Sequence, residues 1–123
     1  MSALNEDAIT RLSTASLVDF TTGTPTLIYT VPFGKSLVVT QIIIRTASAS
    51  LTTVSISFGY NVTCNDLFPN AMHTSVISNL KYRLITPDTS TSPIIGIAGS
   101  GLYVKANTPQ PVTVTLEVFG YLL

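Results

Sequence analysis

Charge is what this chain has least of. Twelve charged side chains, six Lys/Arg and six Asp/Glu, make up 10% of its 123 residues, where soluble domains carry about a quarter. A folded monomer of this length exposes roughly 6,400 Å² of surface. Six cations and six anions cannot dress that area, and 46% of the residues are hydrophobic. Either Ser and Thr cover the surface or part of it is buried against other chains, and the sequence suggests both. The net charge is zero. Arg11, Lys35, Arg45, Lys81, Arg83 and Lys105 are scattered, so the clustered cations that neutralise phosphates are missing and no nucleic-acid partner is expected.

Cysteine and histidine are nearly absent too. The single cysteine, Cys64, excludes an internal disulfide framework and reads as a small buried or half-buried side chain. His73 is the one imidazole. A triad would need it beside Cys64 or a serine and an acid, and nothing in the spacing of Asp66 and Asp88 fixes such a geometry. His73 therefore reads as a solvated loop residue, and no catalytic residue, cofactor or enzymatic activity is expected. One His and one Cys fall short of a zinc ligand set, so no metal is expected either. Asp66 with Asn61 and Asn65 could offer oxygen ligands to calcium, but Asx-turn chemistry is the favoured reading. Gly96 to Gly101 is glycine-rich without a following Lys-Ser/Thr, which makes it a turn and not a phosphate cradle. Long apolar runs are missing; Ile42-Ile43-Ile44 is far too short to span a bilayer. Met1 to Asp7 carries no basic region and no apolar core, so no secretory signal is read there.

What remains is a chain of strands. Thr, Val and Ile are abundant, and Gly, Pro, Asn or Asp punctuates the sequence about every ten residues. Residues 1–16 are the exception. Leu4, Ala8, Ile9 and Leu12 sit at helical spacing, so the segment reads as an N-terminal arm with one or two helical turns that orders on a neighbour. Strands are expected at 17–20, at 26–31 with Leu27, Tyr29 and Val31 on one face, and at 36–45. The last is apolar on both faces, with Leu37, Val39 and Ile43 one way and Val38, Ile42 and Ile44 the other. It is central to a sandwich or lies in an interface. Residues 52–60 place Val54, Ile56 and Phe58 inward. Residues 61–79 leave a short helix or a long loop open. Leu80, Tyr82 and Leu84 read as inward, with Lys81 and Arg83 outward. Residues 102–106 alternate, Asn107 to Pro111 is a turn, and 112–122 closes the chain.

Eight or nine short strands at this spacing predict an all-β antiparallel sandwich or jelly roll over residues 17–123. On the last strand Val112, Val114, Leu116 and Val118 fill one face. Thr113, Thr115, Glu117, Phe119 and Tyr121 line the other, which begins polar and becomes aromatic. Thr115, Glu117, Phe119 and Tyr121 are therefore the candidate subunit-interface residues.

The block from Leu27 to Ser36, with its Val31-Pro32-Phe33-Gly34-Lys35 turn, resembles the opening of small β-sandwich proteins from phages and phage-like elements. Thr46 to Ser50 and Phe58-Gly59-Tyr60-Asn61 continue the similarity. Val114 to Leu122 resembles the last strand of trimeric C1q/TNF-like jelly rolls. The resemblance implies a trimeric jelly roll and a non-enzymatic virion structural protein of the capsid cement (decoration) type. It would be made in a host cytoplasm and bound to the major capsid protein or other shell subunits, with no membrane partner. The alternative is a fibre head recognising host glycans, for which Tyr60, Phe68 and Asp66 are the candidates.

Overall fold

The structure, a computed structural model, describes residues 10–64, 66–86 and 95–123. Among them are nine strands and no helix: β1 (Thr10–Asp19), β2 (Thr26–Thr30), β3 (Leu37–Arg45), β4 (Ser55–Gly59), β5 (Phe68–Met72), β6 (Arg83–Ile85), β7 (Ile95–Gly96), β8 (Gly101–Ala106) and β9 (Thr113–Leu122). They form two antiparallel sheets. One runs β1-β9-β3-β6, with β7 also on β3; the other runs β2-β8-β4-β5. Most connections cross from one sheet to the other, and only β4–β5 closes a hairpin within a sheet. That is the double Greek-key arrangement of a jelly roll. β6 and β7 share one edge of β3, opposite Ile42–Ile44 and Leu37–Val38 respectively.

The core lies between the sheets. Leu37, Val39, Ile42, Ile44, Val114, Leu116 and Val118 face Ile28, Ile56, Phe58, Leu102, Val104 and Ala106. Each such side chain contributes about 1.5–3 kcal/mol by leaving water. Phe58 and Phe68 meet edge to face, with ring centroids 5.4 Å apart and planes at 78°, an arrangement that suits the aromatic quadrupole.

β-Bulges decide which residues reach this core. A strict period of two assigns Leu27 inward, but a register shift between Leu27 and Tyr29 turns Ile28 in and leaves Leu27 exposed. On β3 the shift between Val39 and Gln41 restarts the alternation. Ile42 and Ile44 therefore join Leu37 and Val39 in the core, and Ile43 joins Val38 outside, which corrects the faces expected for this strand. The bulge brings the Val38 carbonyl against Gly120, where any Cβ would collide with backbone. The turn after β2 closes with Lys35 N–H donating to the Pro32 carbonyl at 3.2 Å. Gly34 takes φ +75° there, a conformation that costs a residue with a Cβ 1–2 kcal/mol or so.

Two further expectations are corrected. Residues 10–16 are strand, not helical turns: β1 pairs with β9 from Thr10↔Gly120 to Asp19↔Thr113, and Leu12 and Ala15 pack against the core. Residues 1–9 of the expected arm lie outside the described residues. The open region 61–79 holds β5 and turns. Leu80, Tyr82 and Leu84 face solvent, not the interior; it is Ile85 that packs on the core.

Candidate functional site

β9 is central in its sheet, between β1 and β3, so its side chains divide cleanly between the two faces. Val114, Leu116 and Val118 take the core side. Thr115, Glu117, Phe119 and Tyr121 therefore share the outward side. The ladders set their neighbours: Tyr121 lies opposite Val38, Phe119 opposite Gln41 and Arg11, Glu117 opposite Ile43 and Thr14, and Thr115 opposite Arg45. Leu84 of β6, opposite Ile43, extends the row toward the sheet edge. The result is an apolar band of Val38, Ile43, Leu84, Phe119 and Tyr121 on the outside of a sheet.

A charge cluster sits in this band. Arg11 Nη1 donates to Glu117 Oε1 at 3.1 Å. Arg45 grips the same carboxylate with Nε 3.3 Å from Oε2 and Nη2 3.4 Å from Oε1. The Glu117 side chain keeps 11% of its exposure, against 59% and 41% for the two arginines. The Arg45 hydrogen bond, with Arg11 assisting, holds the Glu117 carboxyl below its ordinary range. One acid between two guanidinium groups leaves the cluster with a surplus positive charge, at a place where half-exposed apolar side chains also collect.

The outward face of the other sheet is built differently. Ser55 and Ser57 are buried although they point away from the core, because polar partners cover them. Thr108 Oγ1 accepts from Ser55 N–H at 2.7 Å and donates to the Thr53 carbonyl at 3.0 Å. Asn107 Nδ2 donates to Ser57 Oγ at 3.0 Å and to Asn70 Oδ1 at 2.9 Å. The serines and amides there are satisfied within the subunit.

The remaining candidate residues are structural. Asp66 accepts from Tyr60 N–H at 2.8 Å and from Asn61 Nδ2 at 3.3 Å. Asn61 Oδ1 accepts from the Thr63 N–H and hydroxyl. This is Asx-turn chemistry, and no group of His, Cys, Asp or Glu suited to a metal occurs among the described residues. Phe68 is in the core. Tyr60 is packed on Gly96, with its phenol pushed up to about 12 by burial and by the Asp66 carboxylate. The three residues weighed for glycan recognition therefore do not form an exposed cluster. Cys64 is buried, as its composition implied. His73 is buried as well, not solvated, and burial with the Arg83 charge nearby pushes its imidazole down to about 4. Asn65 and Asp88 lie outside the described residues.

No protein-family model matches this chain, and no curated protein matches it. Solved structures do. A chain from the acid-stable capsid structure of the Helicobacter pylori bacteriophage KHP30 superposes with a TM-score of 0.55 at 12% identity, covering 94% of this chain and 95% of that one. A chain from the capsid asymmetric unit of cyanophage Pam1 aligns over 94% of this chain and 84% of its own, at 12% identity and a TM-score of 0.42. The first likeness runs nearly end to end on both sides, so the two chains share a fold.

Proposed function

We propose that this protein is a virion structural component: a capsid cement or decoration protein that assembles as a homotrimer and stabilises the shell. The observation that carries the reading is the end-to-end correspondence in fold with a chain of a phage capsid structure. The surface supports it. The outward face of the β1-β9-β3-β6 sheet presents Phe119, Tyr121, Val38 and Ile43 around the Arg11–Glu117–Arg45 cluster, and depletion of charge with enrichment of aromatics and Arg is how protein interfaces differ from ordinary surface. Thr115, Glu117, Phe119 and Tyr121 are the proposed subunit contacts. Scarce charge also limits the desolvation penalty of burying such a face. The test is direct. The purified protein should sediment as a trimer at micromolar concentration. It should also co-pellet with empty capsids from the same source and raise the temperature at which they come apart. A protein that neither associates with itself nor binds shells is not a cement protein.

A further inference from the structure

The strip from Ile77 to Leu84 has the densest exposed apolar character in the described chain. Ile77, Leu80, Tyr82 and Leu84 expose 54%, 86%, 71% and 46% of their surface. Tyr82 lies between two cations, Lys81 and Arg83. The strip ends in β6, which pairs only with β3 among the described residues, so its other edge offers unpaired backbone groups to an added strand. A surface with apolar side chains, positive charge and an open strand edge fits an extended segment that is itself apolar and acidic.

The chain contains one. All six cations belong to the described residues, with only Asp19, Asp66 and Glu117 to oppose them; the other three acids are Glu6, Asp7 and Asp88. The described body thus carries a surplus of three positive charges. Two of the matching acids fall in residues 1–9, flanked by Leu4, Ala8 and Ile9. Those nine residues reach at most about 30 Å when extended. β6 is three strand spacings from β1, about 14 Å across the sheet. The path to the subunit's own β6 crosses the face of β9 and β3, which the trimer reading above fills with another subunit. The segment then has a neighbour's edge to take.

We propose that the Ile77–Leu84 strip and the open edge of β6 are the docking site for residues 1–9 of a neighbouring copy of this chain. Leu4 and Ile9 cover Leu80, Tyr82 and Leu84, while Glu6 and Asp7 meet Lys81 and Arg83. The inference rests on the trimer reading and extends it. A closed ring of three needs two different complementary patches on each subunit, and the arm and this strip supply one such pair.

The test uses the full chain carrying Leu4→Cys and Leu80→Cys; Cys64 is buried and stays in place. Under a mild thiol oxidant the pair should link between subunits into an SDS-resistant ladder ending at three, roughly tenfold faster than a control pairing Leu4→Cys with Thr108→Cys, because docking raises the effective concentration. Adding Glu6→Lys and Asp7→Lys should slow the linkage to the control rate, and Lys81→Glu with Arg83→Glu should restore it. Linkage no faster than the control, or linkage only within one chain, overturns the proposal. Ultracentrifugation of the same samples separates the two readings. A trimer without linkage sinks the docking site alone, whereas a monomer sinks the trimer.

Discussion

The two sheets of this protein spend their outward faces in opposite ways. On the β2-β8-β4-β5 sheet, Asn107, Thr108 and Asn70 satisfy Ser55 and Ser57 within the subunit, and nothing on that face asks for a partner. On the β1-β9-β3-β6 sheet, the same two-residue alternation delivers Phe119, Tyr121, Val38 and Ile43 to the outside, with one carboxylate clamped by two arginines. Buried polar groups are costly unless paired, whereas exposed apolar groups are costly unless covered. The first face has met its cost locally. The second meets it only in an assembly, which is why the scarcity of charge in this sequence reads as a property of one face and not of the whole surface.

The largest effect should come from the strand that carries the second face. At Gly120 a Cβ would strike the Val38 carbonyl and Val39 Cα, both backbone. Gly120→Ala must open the β9–β3 ladder at its bulge and should cost about 4 kcal/mol, at the upper end for single substitutions. Gly101 in the other sheet meets only side chains, with Leu27 Cδ1 at 2.5 Å and the Tyr103 ring at 2.9 Å. Leu27 is half exposed and can swing away, so Gly101→Ala should cost clearly less. Denaturant titration of the two variants side by side measures the contrast. Equal losses would mean that the β3 bulge yields as readily as a side chain.

Next in size is association. Phe119→Ala with Tyr121→Ser removes apolar surface from the outward face without touching the core. The subunit should keep its unfolding midpoint, while the trimer weakens by about 3 kcal/mol or more if both rings are fully buried in the contact. Sedimentation across a concentration series reads the shift directly. A midpoint that falls while association stands would make these aromatics ordinary packing residues and erase the difference between the faces.

His73 joins the two sheets through charge. It follows β5 on one sheet and feels Arg83 of β6 on the other. Burial first, and Arg83 second, push it down to about 4 from 6.5. An unfolded chain then binds a proton that the folded chain resists. The stability His73 supports is complete above pH 6.5 and is lost as pH falls toward 4. After discounting for partial solvent contact, about 2 kcal/mol should go across that window. Melting temperature against pH should slope there in the native protein and flatten in His73→Gln. An unchanged slope in the variant would assign the pH dependence to other groups.

The sequence pattern reached the core strands where the period of two is unbroken. Val54, Ile56 and Phe58, Leu102, Val104 and Ala106, and Val112 to Val118 all lie where alternation puts them, and so the outward residues of β9 were legible too. It missed wherever one residue bulges. Nothing in Leu27-Ile28-Tyr29 or Val39-Thr40-Gln41 marks the extra residue, because apolar or β-branched side chains stand on both sides of each shift. The Leu80–Tyr82–Leu84 alternation misled for another reason. It is a real period of two, but it runs on an edge, and the face it fills is the outer one. The arginine clamp on Glu117 was invisible for want of any local signal: Arg11, Arg45 and Glu117 meet only because β1 and β3 both pair with β9.

The smallest effect should come from that clamp. Arg11 makes one bond to Glu117 and keeps 59% of its side-chain exposure, whereas Arg45 makes two and keeps 41%. An exposed ion pair gains little in water and is screened by salt, so Arg11→Ala should cost the isolated subunit less than about 1 kcal/mol. Arg45 still holds the carboxylate after that change, so Glu117 does not become an unpaired charge. The same variant should matter more to assembly. If the face closes against another subunit, the clamp loses its water, and removing one arginine then alters both the partner's electrostatic environment and the salt dependence of association. The comparison to make is Arg11→Ala against the native chain, unfolding midpoint and trimer dissociation constant each measured at low and high salt. Near-identical midpoints with a flattened salt dependence of dissociation place the cluster inside the subunit contact. Identical behaviour in both measurements leaves it a surface ion pair, and the outward face of this sheet would then owe its associative character to Phe119 and Tyr121 alone.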